Sequence, residues 1–309
     1  MNYQNYLKNK GFSPSSIKSY QVVSNRFNKW IKDQHLTINQ ITYNDITSYI
    51  NHLQGKRNKQ RTIQLEISAL KHYLDYQKLM GNILNIPINN IKIQGVKRQG
   101  IYDILTPEEL DYIYKSYPSE NYNLQNHTLN SSLREDVHRT DGKIIRNKII
   151  IGLLVYQGLS TTDLANIKLE HIQLHRGTID IPPTKKSNGR TLKLEAHQAI
   201  TLQQFILIER EQLLKKHNKT TEHLIFSLGT GNNIYNLLFK LMKQLKAQHL
   251  EITSAKQIRA SVITNWLKQY NLRETQYRAG HKFVSSTENY KINDIETLKN
   301  DIIQFSPNL

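Results

Sequence analysis

The sequence predicts a mainly α-helical protein, with a four-helix bundle at the N-terminus and a mostly helical second domain that holds one small antiparallel β-sheet. Three observations indicate this class. With 309 residues, the chain is long enough for two domains. Apolar residues recur three and four positions apart along most of it, the spacing of one helix face. Strict alternation of apolar and polar residues, which is typical of a strand, is confined to short central segments.

The N-terminal bundle is indicated by four helical patterns separated by breaks. Serine and threonine are favoured helix caps, proline is favoured in a first turn, and glycine ends helices. The breaks carry such residues or a run of basic ones: Gly11, Ser13-Pro14, Thr42 and residues 55–61. We therefore assign residues 1–90 to an N-terminal domain. Residues 91–104 are assigned to a linker, because glycine and basic residues occur there without a clear period.

The second domain is assigned to residues 105–290 and begins with a helix that Thr106 caps and Pro107 opens. Residues 144–157 are apolar nearly all round, which predicts a buried core helix that Gly158 ends. Further helices are predicted over four ranges: 196–216, 233–248, 255–270 and 273–279.

A small sheet is predicted between these helices. Residues 178–181 and 191–194 alternate apolar and polar side chains, as half-buried strands do. Asn188-Gly189 lies between them and is a strong signal for a hairpin turn. With a strand near residues 172–174, these segments predict a three-stranded antiparallel sheet.

Composition narrows the class of partner. The net charge is +17, from 42 Lys and Arg against 25 Asp and Glu, which favours nucleic acid or, less strongly, a membrane surface. The chain has no cysteine, which excludes disulfides and thiolate chemistry. Neither a run of 18 apolar residues nor a signal peptide is present. A cytoplasmic protein is the simplest interpretation.

The positive charge is concentrated at the N-terminus. The first 95 residues hold 13 Lys and Arg against 4 Asp and Glu, a net charge of +9. Four basic residues lie where two predicted helices meet: Lys56, Arg57, Lys59 and Arg61. We interpret them as contacts to DNA phosphates; the alternative is a solvated loop.

A chemical constellation lies near the C-terminus, in residues 253–290. This stretch holds Arg259 on a predicted helix, the pair Gly280-His281, and Tyr290 nine residues after the histidine. A guanidinium, an imidazole and a phenol around one phosphate can break and rejoin a nucleic-acid strand.

These motifs together resemble the tyrosine recombinase (phage integrase) family over nearly the whole chain. The N-terminal segments GFSPSSIKSY and TIQLEISALKHYLDY resemble that family's core-binding, SAM-like domain, which helps to clamp DNA. Four further segments resemble that family's catalytic domain: YQGLSTTDLANIKLEHI (156–172), PPTKKSNGRTLKL (182–194), KQIR (256–259) and GHKFVSSTENY (280–290). The resemblance implies a core-binding domain before residue 90, a catalytic domain over 105–290, and a C-terminal amphipathic tail over 291–309. Such a tail docks on a neighbouring protomer or on its own domain.

The family's reaction conserves the energy of the DNA backbone bond. A tyrosine attacks a phosphodiester, forms a 3′-phosphotyrosyl link and frees a 5′-hydroxyl, and a partner strand's hydroxyl reverses the step. The resemblance therefore implies no cofactor, no ATP and no metal. Positioned cations stabilise the negatively charged transition state.

The resemblance implies roles for five residues of this chain. Tyr290 is the nucleophile, and Arg259 holds the scissile phosphate with a planar guanidinium that stays charged. His281 donates to a phosphate oxygen or assists proton transfer. Lys256 stands where the family usually has histidine. Lys185 matches the general acid that protonates the leaving 5′-oxygen.

The neighbour Lys186 competes with Lys185 for the general-acid role. We favour Lys185 on register, counting back from Arg190.

The sequence departs from the family at Ser160, where an arginine normally pairs with the second arginine across the phosphate. Loss of one such donor costs on the order of 10²–10³ in rate. Arg190, and after it Arg146, are the candidates for a compensating cation. The alternatives are a weakened or inactive DNA-binding homologue, or a type IB topoisomerase-like enzyme.

The predicted function is that of a site-specific DNA recombinase or integrase. Its predicted partners are double-stranded DNA, further copies of itself in a dimer or tetramer, and an accessory DNA-bending protein, with no membrane partner.

Overall fold

The computed structural model describes residues 2–88, 91–95, 102–118, 141–229 and 233–291. The chain divides into two units, residues 1–100 and residues 101–309. Each unit has a hydrophobic core of its own. Within the described ranges, no helix is both long enough and apolar enough to cross a membrane.

The first unit is a bundle of four helices. Its helices are α1 (Tyr3–Asn9), α2 (Pro14–Asp33), α3 (Tyr43–Gly55) and α4 (Gln60–Leu79), with a 3₁₀ turn at Ile38–Gln40. The predicted caps are present: the Ser13 hydroxyl accepts a hydrogen bond from the Ser16 amide at 3.2 Å. Thr42 and Asp45 form a reciprocal capping box.

The core of this bundle is built by the apolar stripes of α2, α3 and α4. Phe27, Tyr49 and Leu70 are buried in it, and burial of such side chains stabilises the fold by about 1.5–3 kcal/mol each. One acidic residue is buried with them: Glu66 accepts hydrogen bonds from the Tyr49 hydroxyl and the Arg26 guanidinium, both at 2.6 Å. The charged carboxylate is thereby satisfied inside the core.

Part of the segment assigned to the linker packs on this unit. Ile91 and Ile93 of that segment pack against the bundle core, in which Ile88 of the first domain is buried. The described part of residues 91–95 therefore contributes apolar contacts to the first unit.

The second unit is mostly helical. Its helices are α5 (Pro107–Ser116), α6 (Asp141–Val155), α7 (Thr161–Asn166), α8 (Ala196–Gln204), α9 (Arg210–Lys216), α10 (Ile234–Gln248), α11 (Ala255–Gln269), α12 (Leu272–Ala279) and α13 (Val284–Glu288). The mainly helical class with one small sheet is confirmed.

The core of the second unit surrounds α6. This helix buries Ile150, Leu153 and Leu154 completely, as its apolar composition predicts. Two helices of this unit begin with reciprocal capping boxes, formed by Thr106 with Glu109 on α5 and by Ser160 with Asp163 on α7. Such caps are local in sequence, which is why the predicted helix starts are close to the observed ones.

The sheet has three antiparallel strands in the order β1 (Ile172–Gln173), β2 (Thr178–Ile181) and β3 (Arg190–Lys193). Ile179 pairs with Ile172 on one side and Leu192 on the other. The alternating burial of β2 and β3 matches the predicted pattern.

The predicted turn at Asn188-Gly189 is wrong. Neither residue has the positive φ that a type I′ turn requires, and the tight turn lies earlier, where the Thr184 amide donates to the Ser187 carbonyl at 2.9 Å. The cause is a distant contact: the Asn188 amide donates to the Gly280 carbonyl at 2.9 Å.

Two further details differ from expectation. The predicted helix 196–216 is interrupted by a π-helical turn at Phe205–Glu209 between α8 and α9. The short α13, directly before Tyr290, was not predicted. The amphipathic tail was predicted over 291–309, and residues 292–309 lie outside the described residues.

Candidate active site

Arg259 lies on the second turn of α11, and its guanidinium is held by backbone carbonyls. Nη1 donates to the Gly158 carbonyl and Nη2 donates to the Ala279 carbonyl at 2.7 Å. These carbonyls lie at or just beyond the C-terminal ends of α6 and α12, where carbonyl oxygens lack helical partners. The Arg259 side chain is 14% exposed. The structure therefore places a fixed, mostly buried cation at the surface of the second unit.

His281 enters the site because α12 ends at Gly280 in a left-handed conformation, with φ of +68°. Its Nε2 lies 3.4 Å from Nη2 of Arg259, and its Nδ1 lies 2.9 Å from the Thr287 hydroxyl. Burial, then Arg259, then Arg190 lower the pKa of His281 from 6.5 to about 4. The imidazole is consequently neutral near pH 7.

Tyr290 follows α13 and lies against His281. The two rings stack with centroids 5.7 Å apart and planes 12° from parallel. Tyr290 is partly exposed. Side-chain contacts thus join Arg259, His281 and Tyr290 into one cluster, although these residues span 31 positions of the sequence.

Ser160 caps α7 beside this cluster. Its hydroxyl accepts from the Asp163 amide at 3.1 Å, and its own amide donates to Asp163 Oδ2 at 2.9 Å. The same carboxylate oxygen lies 3.2 Å from Nη2 of Arg190 and 4.0 Å from Nη1 of Arg259. Asp163 is therefore the link between Ser160 and two guanidinium groups.

Arg190 begins β3 and is buried inside the site. Its side chain is 0% exposed, and burial lowers the pKa of its guanidinium while Asp163 opposes that change. The guanidinium packs against Gly280, where a Cβ atom would stand 2.8 Å from Cζ. Its Nε and Nη1 atoms have no hydrogen-bond partner within the described residues. A second guanidinium thus lies close to Arg259, although position 160 holds serine.

Arg146 lies elsewhere in the second unit. Its Nη1 donates to the Phe226 carbonyl at 3.0 Å, and its Nη2 donates to the Asn147 side chain at 3.2 Å. Burial lowers the pKa of this guanidinium to about 10. Its hydrogen bonds go to these groups rather than to Ser160 or Asp163.

The loop that carries Lys185 and Lys186 docks on the same cluster through its backbone. Ser187 pairs with His281 in an isolated antiparallel bridge, next to the hydrogen bond between Asn188 and Gly280. Both lysine side chains are exposed. The loop is thereby anchored next to His281, with the two lysines close by in sequence.

The remaining predicted basic residues are exposed. Lys256 lies on the first turn of α11, one turn before Arg259, and is exposed to solvent. In the first unit, the basic segment joins the end of α3 to the start of α4 and exposes all four of its predicted residues: Lys56, Arg57, Lys59 and Arg61.

Two polar residues of the cluster were not predicted as part of the site. Neither Asp163 nor Thr287 was singled out from the sequence. Asp163 and Thr287 are almost fully buried, at 2% and 0% exposure. Asp163 pairs with Arg190, which is distant in sequence, and Thr287 contacts His281 across a turn. In the sequence, a polar residue in a short capped helix is only a weak indication of a functional site, because many such residues are solvent-exposed.

The helical first unit, the second unit with its three-stranded sheet, and the cluster on that unit have the fold of a tyrosine recombinase. Comparison of sequences defines the family more closely. Residues 1–81 match the N-terminal SAM-like domain of phage integrases, and residues 125–296 match the phage integrase family. The chain belongs to the phage integrase family, and it is a site-specific recombinase that cleaves and rejoins DNA.

Individual relatives agree with this assignment. The tyrosine recombinase XerC of Staphylococcus aureus (strain MRSA252) is 24% identical over 291 residues, covering 93% of this chain and 89% of the relative. The XerC of strain MSSA476 is 23% identical over the same length. The two alternatives, a DNA-binding homologue and a topoisomerase-like enzyme, are not favoured.

Solved structures share the fold. XerH site-specific recombinase bound to a palindromic difH substrate has a TM-score of 0.68 at 18% identity, covering 93% of this chain and 79% of that one. A lambda integrase dimer bound to a COC′ core site has a TM-score of 0.63 at 16% identity, covering 94% and 75%.

Proposed function

We propose that Tyr290 is the nucleophile of this recombinase and that Arg259 and His281 act on the phosphate that it attacks. The observation that carries the proposal is the joint placement of a phenol, an imidazole and a guanidinium: Tyr290 stacks on His281 at 5.7 Å, and His281 lies 3.4 Å from Arg259. This set matches the chemistry of phosphotyrosyl transfer.

In the proposed step, the Tyr290 oxygen forms a bond to phosphorus as the bond from phosphorus to the 5′-oxygen breaks. The phenol gives one proton to a base, a role proposed for His281, and the leaving 5′-oxygen gains one. Lys185 is the proposed donor of the second proton, with Lys186 as the competing candidate, and the docking of their loop beside His281 supports either lysine. Reversal by another strand's 5′-hydroxyl restores the enzyme, so the cycle consumes no external energy.

Charge stabilisation is assigned first to Arg259. An arginine has five N–H donors, and the hydrogen bonds to the Gly158 and Ala279 carbonyls leave others free for phosphate oxygens. Lys256 is proposed to assist from the preceding turn of the same helix.

Arg190 is proposed as the compensating cation for the arginine that Ser160 replaces. Its buried guanidinium adds positive charge beside Arg259, and Asp163 holds it there at 3.2 Å. Since its side chain is 0% exposed, we assign it an electrostatic and positioning part rather than direct contact with the phosphate. Arg146 is the weaker candidate, because its hydrogen bonds go to Phe226 and Asn147.

The partner is double-stranded DNA, which we propose the first unit grips through its exposed basic segment, residues 56–61. Phosphate contacts by lysine and arginine release counterions, so such binding weakens steeply with salt. We propose that the protein acts as a dimer or tetramer on DNA, with an accessory DNA-bending protein as a further partner, and that it does so in the cytoplasm. DNA-bound dimers and tetramers of lambda integrase share this fold.

A nicked suicide substrate tests the proposed nucleophile. The nick lets the short 5′-leaving strand diffuse away, so a covalent protein–DNA adduct accumulates. We expect an adduct with the wild type and none with Tyr290→Phe, while DNA affinity stays within about twofold because only one oxygen is removed. Tyr112→Phe is the matched control: this tyrosine is 62% exposed on α5, and its variant should form adducts normally. Adducts at wild-type level with Tyr290→Phe would refute the assignment.

A further inference from the structure

Thr287 is a fully buried polar residue next to the cluster, and the proposed reaction gives it no part. It lies on α13, is 0% exposed, and places its hydroxyl 2.9 Å from Nδ1 of His281. A buried hydroxyl is costly unless it is hydrogen-bonded, so this contact accounts for its presence.

The partners of the two ring nitrogens define the state of His281. Arg259 approaches Nε2 at 3.4 Å, and a guanidinium can only donate hydrogen bonds. Nε2 is therefore the acceptor, and in a neutral imidazole the other nitrogen, Nδ1, carries the hydrogen. In this tautomer the Nδ1 hydrogen is the donor to the Thr287 oxygen, which lies 2.9 Å away.

We propose that Thr287 is a positioning residue: its hydroxyl holds His281 in the Nδ1–H tautomer and fixes the ring between Arg259 and Tyr290. The inference rests on the proposed function of this site. The contact also ties the nucleophile to the imidazole, because the Tyr290 amide donates to the Thr287 carbonyl at 3.0 Å within the same turn.

This tautomer bears on the two roles considered for His281, donation to a phosphate oxygen and assistance in proton transfer. With its hydrogen on Nδ1, the neutral ring cannot donate from Nε2, and the single lone pair of Nε2 is directed at Arg259. His281 thus begins as the acceptor of a hydrogen bond from Arg259, and it can take a proton at Nε2 once Arg259 turns its donors to the phosphate. The charged groups that face it are Arg259, Arg190 and Asp163, and burial together with the two arginines favours the neutral ring.

Two substitutions at Thr287 distinguish a positioning role of the hydroxyl from a packing role of the side chain. Thr287→Val keeps the volume and removes the hydroxyl, whereas Thr287→Ser keeps the hydroxyl and removes a methyl group. If the hydrogen bond matters, single-turnover cleavage should fall about tenfold in Thr287→Val, the size expected for one lost hydrogen bond, and stay within about threefold in Thr287→Ser. The reverse order would overturn the proposal in favour of packing.

A second measurement reads the tautomer directly. The ring-nitrogen chemical shifts of His281 in the full-length DNA-free protein, labelled with ¹⁵N-histidine, distinguish the two neutral forms, and His281→Gln identifies the signal. We expect the Nδ1–H form in the wild type and in Thr287→Ser, and a mixture with the Nε2–H form in Thr287→Val. A charged ring or an Nε2–H form in the wild type would overturn the proposal.

These outcomes are independent of the proposed nucleophile. If Tyr290→Phe still formed adducts, the proposed function would fail while the chemical shifts still reported on Thr287. If Tyr290→Phe formed none but Thr287→Val cleaved at the wild-type rate, only the positioning role would be refuted.

Discussion

Arg190 and Asp163 form a buried ion pair in which Nη2 of the arginine lies 3.2 Å from Oδ2 of the carboxylate. The same carboxylate accepts the amide hydrogen of Ser160, so the pair lies directly beside the position where the sequence resemblance leads us to expect an arginine. Removal of one partner from a buried pair costs about 3–5 kcal/mol, because it leaves the other charge uncompensated. This buried pair is the basis for proposing that the second cation of the site comes from β3.

Placing an arginine at position 160 should reduce activity. Ser160→Arg would add a third guanidinium next to Arg190 and Arg259, where like charges repel, and would remove a helix cap that contributes about 1 kcal/mol. Ser160→Ala removes the same cap without the charge and serves as the control. We expect single-turnover cleavage to fall further in Ser160→Arg than in Ser160→Ala. Faster cleavage by Ser160→Arg would show that the site lacks a cation.

The two candidate compensating arginines should differ when each is removed. Arg190→Ala leaves Asp163 unpaired and takes a positive charge from the site, so cleavage by folded protein should fall on the order of 10²-fold, by analogy with loss of one transition-state donor. Arg146→Ala should lower thermal stability, because its buried hydrogen bonds are lost, with less than about threefold loss of cleavage. Equal losses of cleavage would contradict the assignment of Arg190.

Gly280 should tolerate no side chain, because Arg190 occupies the space that a Cβ atom would need. Gly280→Ala would bring Cβ to 2.8 Å from Cζ of Arg190 in a backbone with φ of +68°. Gly177→Ala is the matched control, since its φ is +60° and nothing lies within 4 Å of its Cβ position. The control should lose about 1–2 kcal/mol, the usual cost of a left-handed alanine. Urea unfolding should show a larger loss for Gly280→Ala, accompanied by slower cleavage; equal losses would mean that Arg190 moves freely.

His281 should make the stability of the DNA-free protein depend on pH. Burial and two nearby arginines lower the pKa of this histidine from 6.5 to about 4, so the unfolded chain binds a proton that the folded chain does not bind between these values. The free energy of unfolding should therefore decrease as the pH falls from about 6.5 to about 4. His281→Gln should show a weaker decrease in urea unfolding over that window. Parallel curves would indicate that the histidine titrates normally.

Helix starts could be predicted from the sequence because their causes are local. Ser13, Thr42, Thr106 and Ser160 each cap a helix with a hydroxyl that reaches an amide three residues ahead. Strands β2 and β3 could also be predicted, because their alternation of apolar and polar side chains is visible within four residues. Local rules thus predicted the order of most elements in both units.

The interior of the site could not be predicted because its causes are distant contacts. Asn188-Gly189 is a turn signal in isolation, yet neither residue has a positive φ, and the Asn188 amide donates to the distant Gly280 carbonyl. Burial of Asp163 depends on Arg190, which is 27 positions away in the chain. Spacing placed Arg259, His281 and Tyr290 in one motif, but the hydrogen bond to Thr287 became visible only when the turn between His281 and Tyr290 was in place.

The identity of the tyrosine that becomes attached to DNA tests the central claim most directly. The wild-type adduct on a nicked substrate is digested with protease and nuclease, and tandem mass spectrometry locates the residue that carries the nucleotide. The chain has 17 tyrosines, so the result discriminates strongly. We expect the modification on Tyr290 alone. A nucleotide on any other tyrosine, or on a serine, would contradict the account.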